Sequence, residues 1–259
     1  MKQLLILLLL VILISSYCNE NVLTIACEDK EVFPSLMGKG DQLAVPHPGL
    51  APEMLNMVAS ELNLKIIYIR IPWQRGLEIE LKNGSVDAIF GASYKKEREE
   101  FGLYPLKDEK PDESKQLYTT AYSFYKGKNK KMLWDGKSLQ GFKGVIGVPR
   151  GYSIGDDLRA KGYRIEETDY ALLDIKKVAA GRIDICAELE PQGDYILENN
   201  PDLAKTVEKM EPPITSKPYY LMFSRQFSAK NRELVIRFWN TLQKVREENY
   251  KKLLQKYLK

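Results

Sequence analysis

Short β-branched runs alternate along this chain with longer segments whose apolar residues fall on one helical face. NVLTIACE predicts a strand that opens into a Gly- and Pro-containing loop at Glu28. In GLAPEMLNMVASELNL, Pro52 occupies a first-turn position, and Met54, Leu55, Val58, Ala59 and Leu62 share one side of the predicted helix. KIIYIRI is a strand stopped by Pro72, WQRGLEIELKNG a helix stopped at Asn83-Gly84, and VDAIF a strand. This alternation predicts a parallel sheet covered by helices.

After a polar stretch from Lys107 to Lys115, QLYTTAYSFY reads as a long extended run, and the alternation then resumes. GVIGV is a strand, YSIGDDLRAKG a helix with Asp156 and Asp157 in its first turn, ALLDIKKVAAG a helix ended by Gly181, and RIDICA a strand. The phrase GSVDAIF is thus echoed by GRIDICA, each time behind a helix, so Asp87 and Asp184 mark the same local junction. KPYYLMFSRQF is a second extended run, followed by a tail with Leu234, Phe238, Leu242 and Val245 at helical spacing. That tail is expected to pack back on the first half, making Leu117–Tyr125 and Tyr219–Ser224 two crossings between lobes.

Composition narrows the picture at the N-terminus, where MKQLLILLLLVILISSYC has one Lys, an apolar run and then small residues. This predicts a secretory signal peptide over 1–18; its apolar run is shorter than the roughly 20 residues that cross a bilayer. Export follows, with lipid anchoring at Cys18 disfavoured because Tyr17 stands where a small residue is needed. Cys27 and Cys186 lie in strand-like runs and are read as buried thiols. The 39 basic and 35 acidic residues are interleaved, which describes a mixed solvated surface and no nucleic-acid partner.

Gly151-Tyr152-Ser153-Ile154-Gly155 has the spacing of a hydrolase nucleophile elbow between a strand and a helix. The chemistry needs an imidazole later in the chain, and the one histidine, His47, precedes it. The same junction suits an anion instead, because N–H groups at a helix start are unpaired and sit at the positive end of its dipole; equally, Ser153 could simply cap its own helix. Ser93, Tyr94 and Arg98 follow the strand VDAIF, and a guanidinium can clamp a carboxylate through two parallel hydrogen bonds. Glu28, Trp73, Arg75, Tyr152, Glu188 and Glu190 also stand at or just beyond predicted strand ends, where ligands collect in open α/β sheets. One histidine and scattered acids form no metal-ligand spacing, and no cofactor is expected.

These residues together resemble the bacterial extracellular solute-binding proteins of family 3, from about Val22 to Leu258. The likeness is carried by GLAPEMLNMVASELNLKIIYIRIPWQRGLEIELKNGSVDAIFGASYKKEREEFGLYP, and in the second half by VPRGYSIGDDL and AAGRIDICAELE. The resemblance implies an α/β, two-lobed periplasmic-binding-protein fold of type II, with lobe 1 over 19–120 and 221–259, lobe 2 over 121–220, two crossing strands as hinge and the ligand cleft between. It implies a monomer that captures a small polar solute, an amino acid or related carboxylate, and hands it to the permease of an ABC transporter, or to a sensor receptor. By position, Arg98 resembles the arginine that grips the ligand carboxylate, and Ser153 the hydroxyl that helps hold it. The family's aspartate for the α-amino group falls on Leu189, leaving Glu188 or Glu190 to substitute. Cyclohexadienyl dehydratases resemble the same fold and supply the enzymatic alternative; the expectation is a binding protein without catalysis.

Overall fold

The computed structural model describes residues 21–258, so the predicted leader over 1–18 lies outside the described residues. Strand β1 (Asn21–Glu28) pairs in parallel with β2 (Leu64–Ile71) on one side and with β3 (Ala88–Ser93) on the other. Helix α1 (Leu50–Glu61) connects β1 to β2 and buries Leu50, Ala51, Met54, Leu55, Val58 and Ala59. Helix α2 begins at Trp73–Arg75 and continues as a π-helical segment, Gly76–Leu81, before the chain enters β3. The spacing of the sequence predicts a helix here without revealing its wider winding.

The second half repeats the arrangement with β5 (Ile146–Pro149), α3 (Ser153–Ala160), β6 (Ile165–Thr168), α4 (Ala171–Ala179) and β7 (Ile185–Leu189). Strand β5 lies between β6 and β7 and is parallel to both. Joining the halves are β4 (Tyr118–Gly127) and β9 (Thr215–Phe223), antiparallel to each other. Strand β4 pairs with β7 over Tyr122–Lys126, and β9 pairs with β3 over Tyr219–Phe223. The strand order among the described residues is therefore β6-β5-β7-β4-β9-β3-β1-β2, with a short β8 (Val207–Lys209) added to β4. The second extended run begins at Thr215, two residues before the KPYYLMFSRQF segment, because Thr215–Tyr219 is already hydrogen-bonded to β4.

Beyond β7 come α5 (Glu190–Asn199) and α6 (Pro201–Thr206); beyond β9 come α7 (Arg225–Lys230) and the long α8 (Arg232–Tyr257). Helix α8 buries Val235, Phe238, Leu242, Val245 and Leu253 in the same core as α1, and Lys256 reaches back 2.9 Å to Glu53. The C-terminal tail thus returns to the β1 end of the sheet.

The duplicated phrase proves to be a duplicated helix stop. Gly84 (φ 72°) donates to the Leu81 carbonyl while Ser85 donates to Glu80, and Gly181 (φ 66°) donates to Val178 while Arg182 donates to Lys177. Each is a Schellman motif, whose left-handed residue favours glycine because a Cβ would crowd the backbone. The two aspartates then diverge. Asp87 accepts from the Thr24 N–H and hydroxyl, both at 2.7 Å, stitching β3 to β1, whereas Asp184 pairs with Lys130 at 2.6 Å on the surface. Cys27 and Cys186 are buried and unbridged.

Candidate functional site

Parallel strands point their C-terminal ends the same way, so β1 and β3 deliver Glu28 and Ser93 to one edge, and β5 and β7 deliver Tyr152, Ser153 and Leu189 to the facing edge. Between them lies a cavity of about 40 Å³, lined by Glu28, Ser93, Arg98, Ser153 and Ser35 among a mainly apolar and aromatic wall. That wall includes Trp73, Phe90, Tyr118, Tyr122, Tyr152 and Tyr219. A water needs roughly 10–15 Å³ of such space, so the cavity has room for about three water-sized groups.

Arg98 lies on a short 3-10 turn, Lys96–Glu100, and is 7 % exposed. Its Nη1 donates to the Ser93 carbonyl (3.0 Å) and hydroxyl (3.1 Å), and its Nη2 donates to the Gly151 carbonyl across the cleft (3.0 Å). The indole of Trp73 lies against the guanidinium at 5.7 Å and donates its own N–H to Gly151. Among the described residues no carboxylate pairs with Arg98, although a buried guanidinium is normally neutralised by one. The cavity therefore contains a guanidinium without a carboxylate in contact and with N–H capacity to spare.

Ser93 and Ser153 face each other across the cleft, Oγ to Oγ at 2.9 Å. Ser153 does not cap its helix: Tyr152 is the N-cap and makes no side-chain cap bond, so the capping alternative is set aside. Its hydroxyl instead accepts from Lys217 Nζ at 2.9 Å, and Lys217 also pairs with Asp157. Burial lowers the Lys217 pKa against the opposing pull of Asp157. Lys95 adds a bond across the cleft to Asp156 at 2.8 Å, and Phe33 stacks on Tyr195 with ring centres 4.2 Å apart.

A second, smaller chamber of about 20 Å³ adjoins the first and shares Glu28, Val32, Tyr152 and Leu189 with it. Burial pushes the Glu28 carboxyl up to about 8, with Asp29 adding to the shift. Glu188 is 1 % exposed and faces this chamber from β7. Burial first, and then the neighbouring Asp174, hold its pKa well above the usual carboxylate range. Burial likewise raises Asp174 to about 6, while Thr168 donates to it at 2.6 Å and opposes the shift.

The structure thus gathers Glu28, Trp73, Ser93, Arg98, Tyr152 and Ser153 around the main cavity and puts Glu188 beside it. Three other candidates stand apart. Arg75 is exposed and paired with Glu80; Tyr94 turns its hydroxyl to Glu99 and its ring to Tyr104. Glu190 begins α5 and accepts from Ser123 at 2.6 Å, away from both chambers. Sequence reasoning missed Tyr118, Tyr122 and Tyr219, whose signal was available: Tyr118, Tyr122 and Phe124 share one face of an alternating strand. Val32, Ser35 and Leu36 come from the β1–α1 loop and carry no periodic signal.

The family model for bacterial extracellular solute-binding proteins, family 3, matches residues 44–259. The chain belongs to that family. Its fold is also that of solved proteins at low identity. An ancestral arginine-binding protein bound to arginine superposes with a TM-score of 0.72 at 16 % identity, covering 92 % of this chain and 99 % of that one. A histidine kinase sensor domain with similarity to periplasmic binding proteins gives 0.74 at 15 %, covering 93 % and 98 %. The ancestral amino acid-binding protein AncCDT-1, a precursor of cyclohexadienyl dehydratase, gives 0.69 at 18 %, covering 92 % and 96 %. No curated protein sequence matches the chain.

Proposed function

We propose that this family 3 protein captures a small carboxylate-bearing solute, an amino acid or a related acid, by closing two lobes over it, and delivers it to the permease of an ABC transporter. The reading rests on Arg98, a buried guanidinium without a carboxylate partner, flanked by two serine hydroxyls that approach from opposite sides of the cleft. A ligand carboxylate would supply the missing charge and accept from both sides at once. Lobe 1 is taken as 19–120 and 221–259 and lobe 2 as 121–220, with β4 and β9 as the hinge. Since Arg98, Trp73 and Lys95 all bond to residues 151–156, closure and ligand capture use the same side chains. Export to the periplasm fits the family, and the protein is expected to act as a monomer.

Titration calorimetry of the full chain against short carboxylates tests this. Replacing Arg98 with Ala is expected to weaken binding about a hundredfold, and Lys in its place recovers only part because it lacks the two-pronged geometry. Unchanged affinity in both variants, with far-UV circular dichroism confirming the fold, would refute the assignment.

A second reading is favoured by Glu28, whose carboxyl, raised to about 8, could serve as a general acid inside the cavity in a dehydratase-like reaction. Incubation with prephenate or arogenate decides it by formation of the aromatic product. The likeness to a sensor domain keeps receptor presentation as an alternative destination for the loaded protein. Pull-down of the ligand-loaded form by the permease or by a sensor kinase separates these two.

A further inference from the structure

Resting on the carboxylate reading above, we infer that the cleft takes a short carboxylate whose ammonium group sits at the far end of its chain, an ω-amino acid, in preference to an α-amino acid.

The surroundings of Arg98 offer no charged acceptor to an ammonium one carbon from the carboxylate. The Ser93 carbonyl already accepts from Arg98 and from the Tyr104 hydroxyl at 2.8 Å, which uses both lone pairs. The Gly151 carbonyl accepts from Arg98 and from Trp73, and the hydroxyls of Tyr122 and Tyr219 bond to each other at 2.8 Å. Leu189 contributes only methyl groups to the wall. An α-ammonium would lose its water and gain no charged acceptor.

The acids stand at the other end. Glu28 ends β1 beside the C-terminal end of β3, which bulges at Gly91 before Ser93. Among the described residues Glu28 is the one carboxylate on the wall of the main cavity, and it opens into the smaller chamber, where the buried Glu188 joins it; Glu31 and Asp169 are exposed at the rim, Asp169 paired with Arg150. Lys30 is held by Asp29 at 2.6 Å. Glu188 Oε1 and Asp174 Oδ1 are buried without an N–H donor, and the two carboxyls hydrogen-bond each other, Glu188 holding the proton. Glu28 and Glu188, facing a chamber of about 20 Å³, suit one ammonium group. The two chambers together fit a chain of a few carbons, with aromatic walls for its methylenes.

Isomers test the placement of charge. Calorimetry compares β-alanine and 4-aminobutyrate with L-alanine and L-2-aminobutyrate, which move the amine, and with propionate and butyrate, which lack it. The ω-amino acids are expected to bind at least about tenfold more tightly than either set, the size of one charge-assisted hydrogen bond. Glu28→Gln and Glu188→Gln should each shrink the ratio of β-alanine to propionate affinity by about fivefold or more. An α-isomer or an amine-free acid that binds as well as its ω-amino counterpart overturns this inference, and leaves the carboxylate reading standing if binding still depends on Arg98. Failure of all six acids to bind overturns both.

Discussion

Glu28 ties the stability of the protein to pH in a direction opposite to that of most carboxylates. Its side chain is half-buried, and burial lifts its pKa from 4.5 to about 8. Between those values the native state holds a proton that the unfolded chain has released. Stability from this group is therefore fully present below pH 4.5, falls as the pH rises, and reaches its lowest level above pH 8. The slope limit is about 1.36 kcal/mol per pH unit, so the full window corresponds to at most about 4–5 kcal/mol, and water reaching the half-buried side chain reduces this to about 1–3 kcal/mol.

Glu28→Gln removes the titration and keeps the oxygen that accepts from the Asp29 N–H at 3.1 Å. Urea unfolding of both proteins from pH 5 to pH 9 is the assay. The variant is expected to match the parent near pH 5 and become progressively more stable than it toward pH 9. Because Glu188 and Asp174 are present in both proteins, their titrations cancel in the difference. A difference that stays flat over this range, or a variant less stable than the parent at pH 9, would refute the reasoning that desolvation governs Glu28.

Other outcomes follow from the same geometry. Ser153→Ala removes the hydroxyl that meets Ser93 and Lys217, and is expected to weaken carboxylate binding about tenfold in calorimetry, since each lost bond is worth about 1 kcal/mol. Asp174→Asn removes the acid beside Glu188 while leaving an oxygen for Thr168, so melting temperature at pH 8 should rise relative to the parent. Gly181→Ala should cost about 1 kcal/mol in urea unfolding from its positive φ alone, because nothing crowds the new methyl. Gly84→Ala should cost more, since the methyl would also meet the Gln226 side chain at 2.9 Å.

Much of the order of strands and helices was legible because burial imposes periodicity, each strand packed on both faces being a continuous apolar run and each covering helix having one apolar side; the edge strand β6 was not, since IEET is too polar to signal a strand. The glycine stops were equally legible, since a left-handed residue at a helix end writes itself into the sequence as Gly84 and again as Gly181. The site was only half legible, for a reason that β7 makes concrete. Successive side chains on a strand point to opposite faces, so Leu189 looks into the main cavity while Glu188 looks toward Asp174 and the smaller chamber. Glu190, one residue further, has left the strand and begun a helix, and its carboxylate turns to Ser123. Three consecutive residues thus have three different environments, and periodicity on so short a strand does not fix which face is which. The parity of Glu188 and Leu189 is also what separates the two ends of the proposed ligand: an acid at position 189 would line the cavity that holds Arg98, whereas an acid at 188 moves the acceptor to the chamber that Glu28 already faces.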